Sequence, residues 1–501
     1  MQWAGVQKPK PCISQLSKFG CRMMALSRRN VLKLGAMGLG AAALGFARAS
    51  HAAAEMALPI GATTAEIMPG LPTAAMMGYG TAGPSVLHLT QGQQSLIHAQ
   101  NHLEEVTTVH WHGLRGPNAQ DGVPYLTQLP IGVGEDYTYD LTPEDAGTYW
   151  FHPHCNTLEQ IARGLAGVVV VHEAEDPGYD ADEVVQLRDF RLGSDGQFIE
   201  FTKPRNAVRG GTLGTVTTAN WQTDLHITAP AGGLLRLRLA ATDVTRVFQI
   251  AVSGADARVI AADGHPVPTP YEVAPLPTPK NRDPKAAPGT WPVILAPGQR
   301  SDLAILMPAE GGIVTVDMAL PGGAQKTVAT LIAVGPSLAR KVADIQPLPA
   351  NPLPEPDLAT AQRLDFIIGW SPDGTAGTSG ICGDTPYRFW SINRKLWPGE
   401  GAPDPANPLA PLAELQQGKS YIFRMKNETK NDHPIHLHGM AFKLLASNKR
   451  DLPPHWTDTA LLRADETMEV AFVADNPGDW VFHCHVIEHQ KTGLAGVIRV
   501  A

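Results

Sequence analysis

The two ends of this 501-residue chain repeat each other, and that repeat constrains the fold more than any other feature. Gly147-Thr-Tyr-Trp-Phe-His-Pro-His154 matches Gly478-Asp-Trp-Val-Phe-His-Cys-His485. Downstream, Gly164-Leu-Ala-Gly-Val168 matches Gly493-Leu-Ala-Gly-Val497, and upstream His110-Trp-His112-Gly113 pairs with His436-Leu-His438-Gly439. The matched segments keep their order at offsets of 331, 329 and 326 residues, so one folding unit is expected near each end. The stretch from roughly 180 to 345 has comparable strand patterning without a His-x-His pair, and reads as a related unit with no metal site.

Local patterning says what kind of unit this is. From about residue 60 onward, short apolar or alternating runs are separated by Gly, Pro, Asn and Asp, and long amphipathic helical patterns are scarce. Leu234-Leu-Arg-Leu-Arg-Leu239 alternates with the two-residue period of a strand, and Gly167–Val171 and Met468–Val473 are further strand candidates. With 49 Gly and 43 Pro but no collagen-like period, and 43% hydrophobic residues, a turn-rich packed protein is expected. Five cysteines in a chain this long exclude a disulfide-rich miniprotein. The expectation is an all-β protein of three β-sandwiches, at 53–178, 179–345 and 346–501. Pro-rich stretches at 266–292 and 345–357 read as a loop and a linker.

Residues 1–52 differ in kind: they hold eight Lys or Arg and no acidic residue. Ser27-Arg28-Arg29-Asn30-Val31-Leu32-Lys33, followed by an apolar stretch over Leu34 to Phe46, resembles a twin-arginine export signal. Thirteen residues are too few for a spanning helix, so a removed signal rather than a membrane anchor is expected, with cleavage near Ala49 or Ala52. A start at Met23 or Met24 would place the arginine pair near the N-terminus. This reading makes the protein periplasmic and the twin-arginine export machinery its partner. Removing the leader turns the net charge of −8 into −16, because 32 basic residues then face 48 acidic ones. So acidic a body repels nucleic-acid phosphates, and nucleic-acid binding is excluded as a role.

Four histidine clusters carry the chemistry: His110-Trp-His112, His152-Pro-His154, His433-Pro-Ile-His436-Leu-His438, and His483-Cys484-His485-Val-Ile-Glu-His489. Alternate residues of a strand share a face, so each His-x-His pair presents two imidazoles to one place. Cys484 must then point to the opposite face from His483 and His485. His489, past the strand end, and His433, on another strand, are placed to reach the Cys484 side. Two imidazoles and a thiolate form the trigonal set that selects copper. Zinc is the alternative metal, but ten His and one Cys are too many for one four-ligand centre.

As a set, these residues resemble the four copper motifs of the multicopper oxidases of laccase-like, bacterial three-domain type, over the whole span from about residue 60 to 501. The resemblance implies three cupredoxin-like Greek-key β-sandwiches and four copper ions. Position by position, His433, Cys484 and His489 would bind the type 1 copper. His110 and His436 would bind the type 2 copper, and His112, His152, His154, His438, His483 and His485 the type 3 pair. It implies an oxidase that couples one-electron oxidation of phenolic or aromatic-amine donors to reduction of dioxygen to water, with donors meeting the protein at His489. The axial position, five residues after His489, is Leu494 in place of the Met of many relatives, and Asp121 matches the family's proton-delivering acid. Gln490 stands where some bacterial relatives carry a second acid, and Glu488 would point elsewhere if the strand continues.

Other readings weighed are a cuprous or other metal-ion oxidase serving copper tolerance, and a copper-free structural or cell-division protein of the same fold. The 13 Met are scattered rather than clustered between 355 and 430, which argues against the first. Filled ligand positions argue against the second, and paired His clusters at both ends argue against a two-domain nitrite reductase. Cys155 and Cys382 are left as either a disulfide or two buried thiols, Asp458 as structural, and the protein is expected to be a monomer.

Overall fold

In a computed structural model, residues 53–80, 83–276, 292–372, 387–399, 409–453 and 455–501 are described. The leader, Cys382 and most of the first Pro-rich stretch lie outside them. The described chain from residue 53 onward is one compact unit made of six β-sheets.

The sheets fall into three pairs built on one plan. In the last pair, a five-stranded sheet runs Ala413–Leu415, Ala495–Val500, Gly478–Cys484, His433–Leu437, Thr459–Leu462, parallel at the first contact and antiparallel thereafter. The middle pair repeats this order with Leu225–Pro230, Gln325–Val334, Ile313–Ala319, Phe248–Ser253, Val293–Leu295. The first pair has four of the five: Ser85–Thr90, Gly167–His172, Gly147–His152, His110–His112. Each opposing sheet also contains one parallel contact among antiparallel ones: Ala54–Met68 with Ser95–Asn101, Ala181–Phe190 with Leu234–Ala241, and Gln362–Trp370 with Ser420–Asn427. The fold is all-β, three cupredoxin-like Greek-key sandwiches, and the repeated segments of the sequence occupy matching strands of the first and third.

Each sandwich buries its own apolar face: around Ile97, Tyr139 and Phe151 in the first, Leu237, Phe248 and Leu303 in the second, and Phe423, Phe472 and Phe482 in the third. Leu234–Ala241, whose apolar and charged residues alternate, is buried throughout. Its polar face lies against the first sandwich. Arg236 and Arg238 reach Asp302 at 2.7 and 3.2 Å, Arg238 also binds Asp182, and Thr148 of the first sandwich donates to Asp302 at 2.6 Å. Buried charges persist only when paired and hydrogen-bonded, and these are.

Candidate metal centres

The geometry begins with strand register. His110 stands opposite His152 and His112 opposite Trp150 in the first sandwich, and His436 opposite His483 in the third. Only the His110 pair lies wholly within its strand. His154, His438 and His485 sit one or two residues beyond strands ending at His152, Leu437 and Cys484, so the turn after the strand, as well as its pleat, aims the second ring of each pair. The two sets meet face to face: His110 stacks on His438 at 3.8 Å between ring centroids, and His112 on His436 at 3.7 Å. The groups His110–His436–His438, His110–His112–His152 and His154–His438–His483 each bring one ligand atom per residue within 4.8 Å of the others.

A second group forms on the other side of the Gly478–Cys484 strand. Ile435 pairs with Cys484, and the chain then turns into a short helix, Ile487–Lys491, which carries His489 back toward the sulfur. Cys484 Sγ lies 3.6 Å from His433 Nδ1 and 3.5 Å from His489 Nδ1, and the two nitrogens are 3.0 Å apart.

Hydrogen bonds fix which nitrogen of most of these rings carries its proton, because carbonyls and carboxylates only accept. His438 donates from Nδ1 to Asp121 Oδ2 at 2.8 Å, and His483 from Nδ1 to the Cys484 carbonyl at 3.0 Å. Their Nε2 atoms face each other at 3.1 Å with a lone pair on each. His489 donates from Nε2 to the Arg209 carbonyl, and His433 from Nε2 to Thr429 Oγ1, whose own proton goes to Asn427. Their Nδ1 lone pairs therefore also converge. His110 and His436 spend Nδ1 on the carbonyls of Asp121 and Asp458, while Nε2 of each, Nδ1 of His112, Nε2 of His152 and both nitrogens of His485 are buried without a hydrogen-bond partner.

The ten histidines and Cys484 are each 1% exposed or less. Burial, reinforced by neighbouring imidazoles, holds His112, His152, His433, His438, His483 and His485 well below the usual imidazole range, and burial takes His489 down to about 3. Burial pushes the Cys484 thiol up. Converging lone pairs that protons do not fill are what a buried cation satisfies, and a bound metal would displace the thiol proton. The donor set of Cys484 with two imidazoles is copper's, and the all-imidazole cage suits copper too.

Comparison with known proteins agrees. Profiles of the multicopper oxidase family match residues 62–176 and 383–501. A multicopper oxidase crystal structure from Pseudomonas thermotolerans is 36% identical, covering 90% of this chain and 100% of that one, with a TM-score of 0.76. The chain is a multicopper oxidase. Curated relatives include multicopper oxidase MmcO of Mycobacterium tuberculosis, 28% identical over 85% of this chain and 83% of that protein, and Laccase-1 of Fomitopsis schrenkii, 25% identical over 86% and 83%. Membership makes it a copper-dependent oxidoreductase with dioxygen as acceptor.

The remaining residues singled out in the sequence are placed as follows in this multicopper oxidase. Asp121 lies against the cage: besides binding His438, its carboxylate is 3.2 Å from His110 Nδ1. It also lines a narrow cleft with Trp111, Arg115, Gln120 and Trp480. Leu494 is buried in the same apolar cluster as Cys484, and its backbone N–H bonds the His489 carbonyl. Glu488 follows a helix, not a continuing strand, and binds Thr202 and Thr212 of the second sandwich. Cys155 is disulfide-bonded.

Two of these residues have partners that the sequence does not announce. Asp458, read as structural, orients cage imidazoles: Oδ1 accepts from His112 Nε2 at 3.0 Å and lies 3.3 Å from His436 Nδ1, while Arg300 grips the carboxylate from the second sandwich at 2.6 Å. Burial alone would raise this carboxyl, but Arg300 and His112 outweigh it and hold it well below the usual carboxylate range. Gly113 makes room, since a Cβ there would lie 2.4 Å from the Arg300 guanidinium and 2.5 Å from the Asp458 carboxylate. No spacing rule singles out Asp458, because both its imidazoles and its arginine come from distant segments. His489, expected to meet the donor directly, is fully buried with its Nε2 closed off by the Arg209 carbonyl at 2.6 Å.

Proposed function

We propose that this multicopper oxidase holds four copper ions and takes electrons from phenolic or aromatic-amine donors. In this reading His433, Cys484 and His489 are the type 1 ligands, His110 and His436 the type 2 ligands, and His112, His152, His154, His438, His483 and His485 the type 3 ligands. The observation that carries it is the end of the Gly478–Cys484 strand, where His483 and, one residue past the strand, His485 face the other cage imidazoles while the intervening Cys484 faces His433 and His489. Bound copper supplies one-electron redox chemistry at the thiolate site and the four-electron reduction of dioxygen to water at the cage.

The protein's own residues do the rest. Main-chain carbonyls and the Asp121 and Asp458 carboxylates orient the cage imidazoles and set their tautomers, as such outer partners do in metal sites generally. Asp121 stands between His438 and the cleft beside Trp111, the position from which a carboxylate passes protons from solvent to a reduction site. Leu494, buried in the same apolar cluster as Cys484, would contribute no ligand to a metal held by Cys484, His433 and His489. The main chain from His483 through Cys484 to His485 links the two sites covalently.

We assign the three sandwiches to 53–178, 179–345 and 346–501, and residues 1–52 to a twin-arginine export signal, on Arg28-Arg29 and the apolar run that follows; the product would act as a periplasmic monomer. The deciding experiment loads the protein with copper, records its visible spectrum, and compares oxygen uptake with a phenol, an aromatic amine and Cu(I). A blue band with uptake on the aromatic donors is expected. Absence of the band would overturn the type 1 assignment, and uptake on Cu(I) alone would make the protein a metal-ion oxidase.

A further inference from the structure

The expected meeting place for a donor, the edge of His489, is covered by the turn that carries Arg209. An aromatic stack lies beside the covered ring. Trp390 is fully buried, its ring centroid 4.7 Å from that of His489 and 4.9 Å from that of His433. Trp370 stacks on Trp390 at 4.3 Å with 18° between the planes, and is itself 41% exposed. Two indoles thus span the distance from solvent to the imidazoles of the Cys484 site.

The placement is rigid. Trp370 and Trp390 are paired across adjacent antiparallel strands, and Ser391 Oγ donates to the Trp370 carbonyl. Trp390 Nε1 donates to the Ala207 carbonyl at 2.9 Å, and its backbone N–H bonds the Thr492 carbonyl just past the helix that carries His489. Gly493 permits this approach: it has φ +118°, and a Cβ there would lie 2.3 Å from the Trp390 carbonyl oxygen. An exposed indole face offers an aromatic ring an offset-stacked or edge-on contact that it does not offer an inorganic anion.

We propose that aromatic donors dock on Trp370 and that their electrons reach the type 1 site through the Trp370–Trp390 stack rather than at the edge of His489. The proposal rests on the copper assignment and the aromatic donor class given above. A phenol docked there loses one electron and one proton and becomes a phenoxyl radical. The electron converts Cu(II) to Cu(I) at the type 1 site, the proton passes to water, and both indoles end unchanged. Dioxygen is the final oxidant.

The test compares the wild type with Trp370→Leu and Trp370→Phe, using 2,6-dimethoxyphenol and ferrocyanide as donors. In the copper-free proteins, 2,6-dimethoxyphenol should quench tryptophan fluorescence along a saturable curve that Trp370→Leu loses. In the copper-loaded proteins, mixed without oxygen, the Leu variant should bleach the blue band about tenfold or more slowly with 2,6-dimethoxyphenol, as lost positioning of a reactant costs. The Phe variant should recover most of that rate, and ferrocyanide should bleach all three alike. Equal bleaching of wild type and Trp370→Leu by the phenol overturns the relay while leaving the aromatic donor class intact. Equal slowing with both donors also overturns it, by showing damage to the site itself. A wild type bleached by ferrocyanide and not by the phenol removes the donor class, and the relay with it.

Discussion

The Asp458 side chain has to satisfy His112 and a guanidinium at once while its main-chain carbonyl takes His436, and only an ionised carboxylate does so. Asp458→Asn places an amide N–H against either Arg300 or His112, so a buried charge loses its partner. Breaking one side of a buried pair costs about 3–5 kcal/mol. The variant should unfold at markedly lower urea and purify with less copper per chain; wild-type values for both would refute the positioning role. Asp121→Asn is milder, because His110 keeps its bond to the residue 121 carbonyl. It should retain copper and a normal type 1 reduction, yet return to the blue state about a hundredfold more slowly when oxygen is admitted to the reduced protein, the scale of a lost general acid. Reoxidation at the wild-type rate would remove Asp121 from the proton route. Leu494→Met offers a weak thioether to the type 1 site and should lower its potential in a redox titration. The histidines and the cysteine that converge here were legible in sequence because strand periodicity and an internal repeat mark them. Asp458, Arg300 and the Arg209 carbonyl were not, since each acts through a contact between segments far apart in the chain, and a backbone carbonyl leaves no trace in residue type.

Between residue and molecule, the element that decides access is the helix Ile487–Lys491 with the segment it holds. Glu488 accepts from the Thr202 and Thr212 hydroxyls and from the Thr212 amide, fastening the chain on both sides of Arg209. Reading the chain beyond Cys484 as continued strand aims Glu488 wrongly; the turn into a helix puts it on the second sandwich and His489 under Arg209. Glu488→Ala leaves the Thr212 amide and two hydroxyls without their acceptor, a loss of about 1–3 kcal/mol for each buried group left unpaired. Hydrogen exchange at the Thr212 amide should rise sharply while strand amides of the second sandwich, such as those of Leu237 and Leu239, keep their protection. Unchanged exchange at Thr212 would show that something other than Glu488 fastens the turn. Strand existence was likewise readable from alternation, but which faces are covered was not: Leu234–Ala241 alternates as an exposed strand would, yet both its faces are buried because a neighbouring sandwich supplies Thr148 for its arginine and aspartate network.

Across the whole molecule, the cage is shared: His110, His112, His152 and His154 come from the first sandwich, and His436, His438, His483 and His485 from the third. Arg300 of the second sandwich joins them, donating to the Thr148 carbonyl on one side and to Asp458 on the other. Without metal, the cage sets imidazole lone pairs against one another and holds the two ends together against that repulsion. Metal reverses the sign by giving every lone pair a common partner, and a ligand that binds the folded state alone stabilises it by about 4 kcal/mol at a thousand times its dissociation constant. Copper-loaded protein should therefore melt at a higher temperature than chelated protein by scanning calorimetry. The Cys484 site lies within the third sandwich alone, so Cys484→Ser should keep most of this gain. His110→Ala with His438→Ala, which strips one ligand from each side of the cage, should lose most of it. Were Cys484→Ser to abolish the gain and the double variant to keep it, copper would be stabilising the third sandwich by itself, and the cage would not be the clasp between the two ends of the chain.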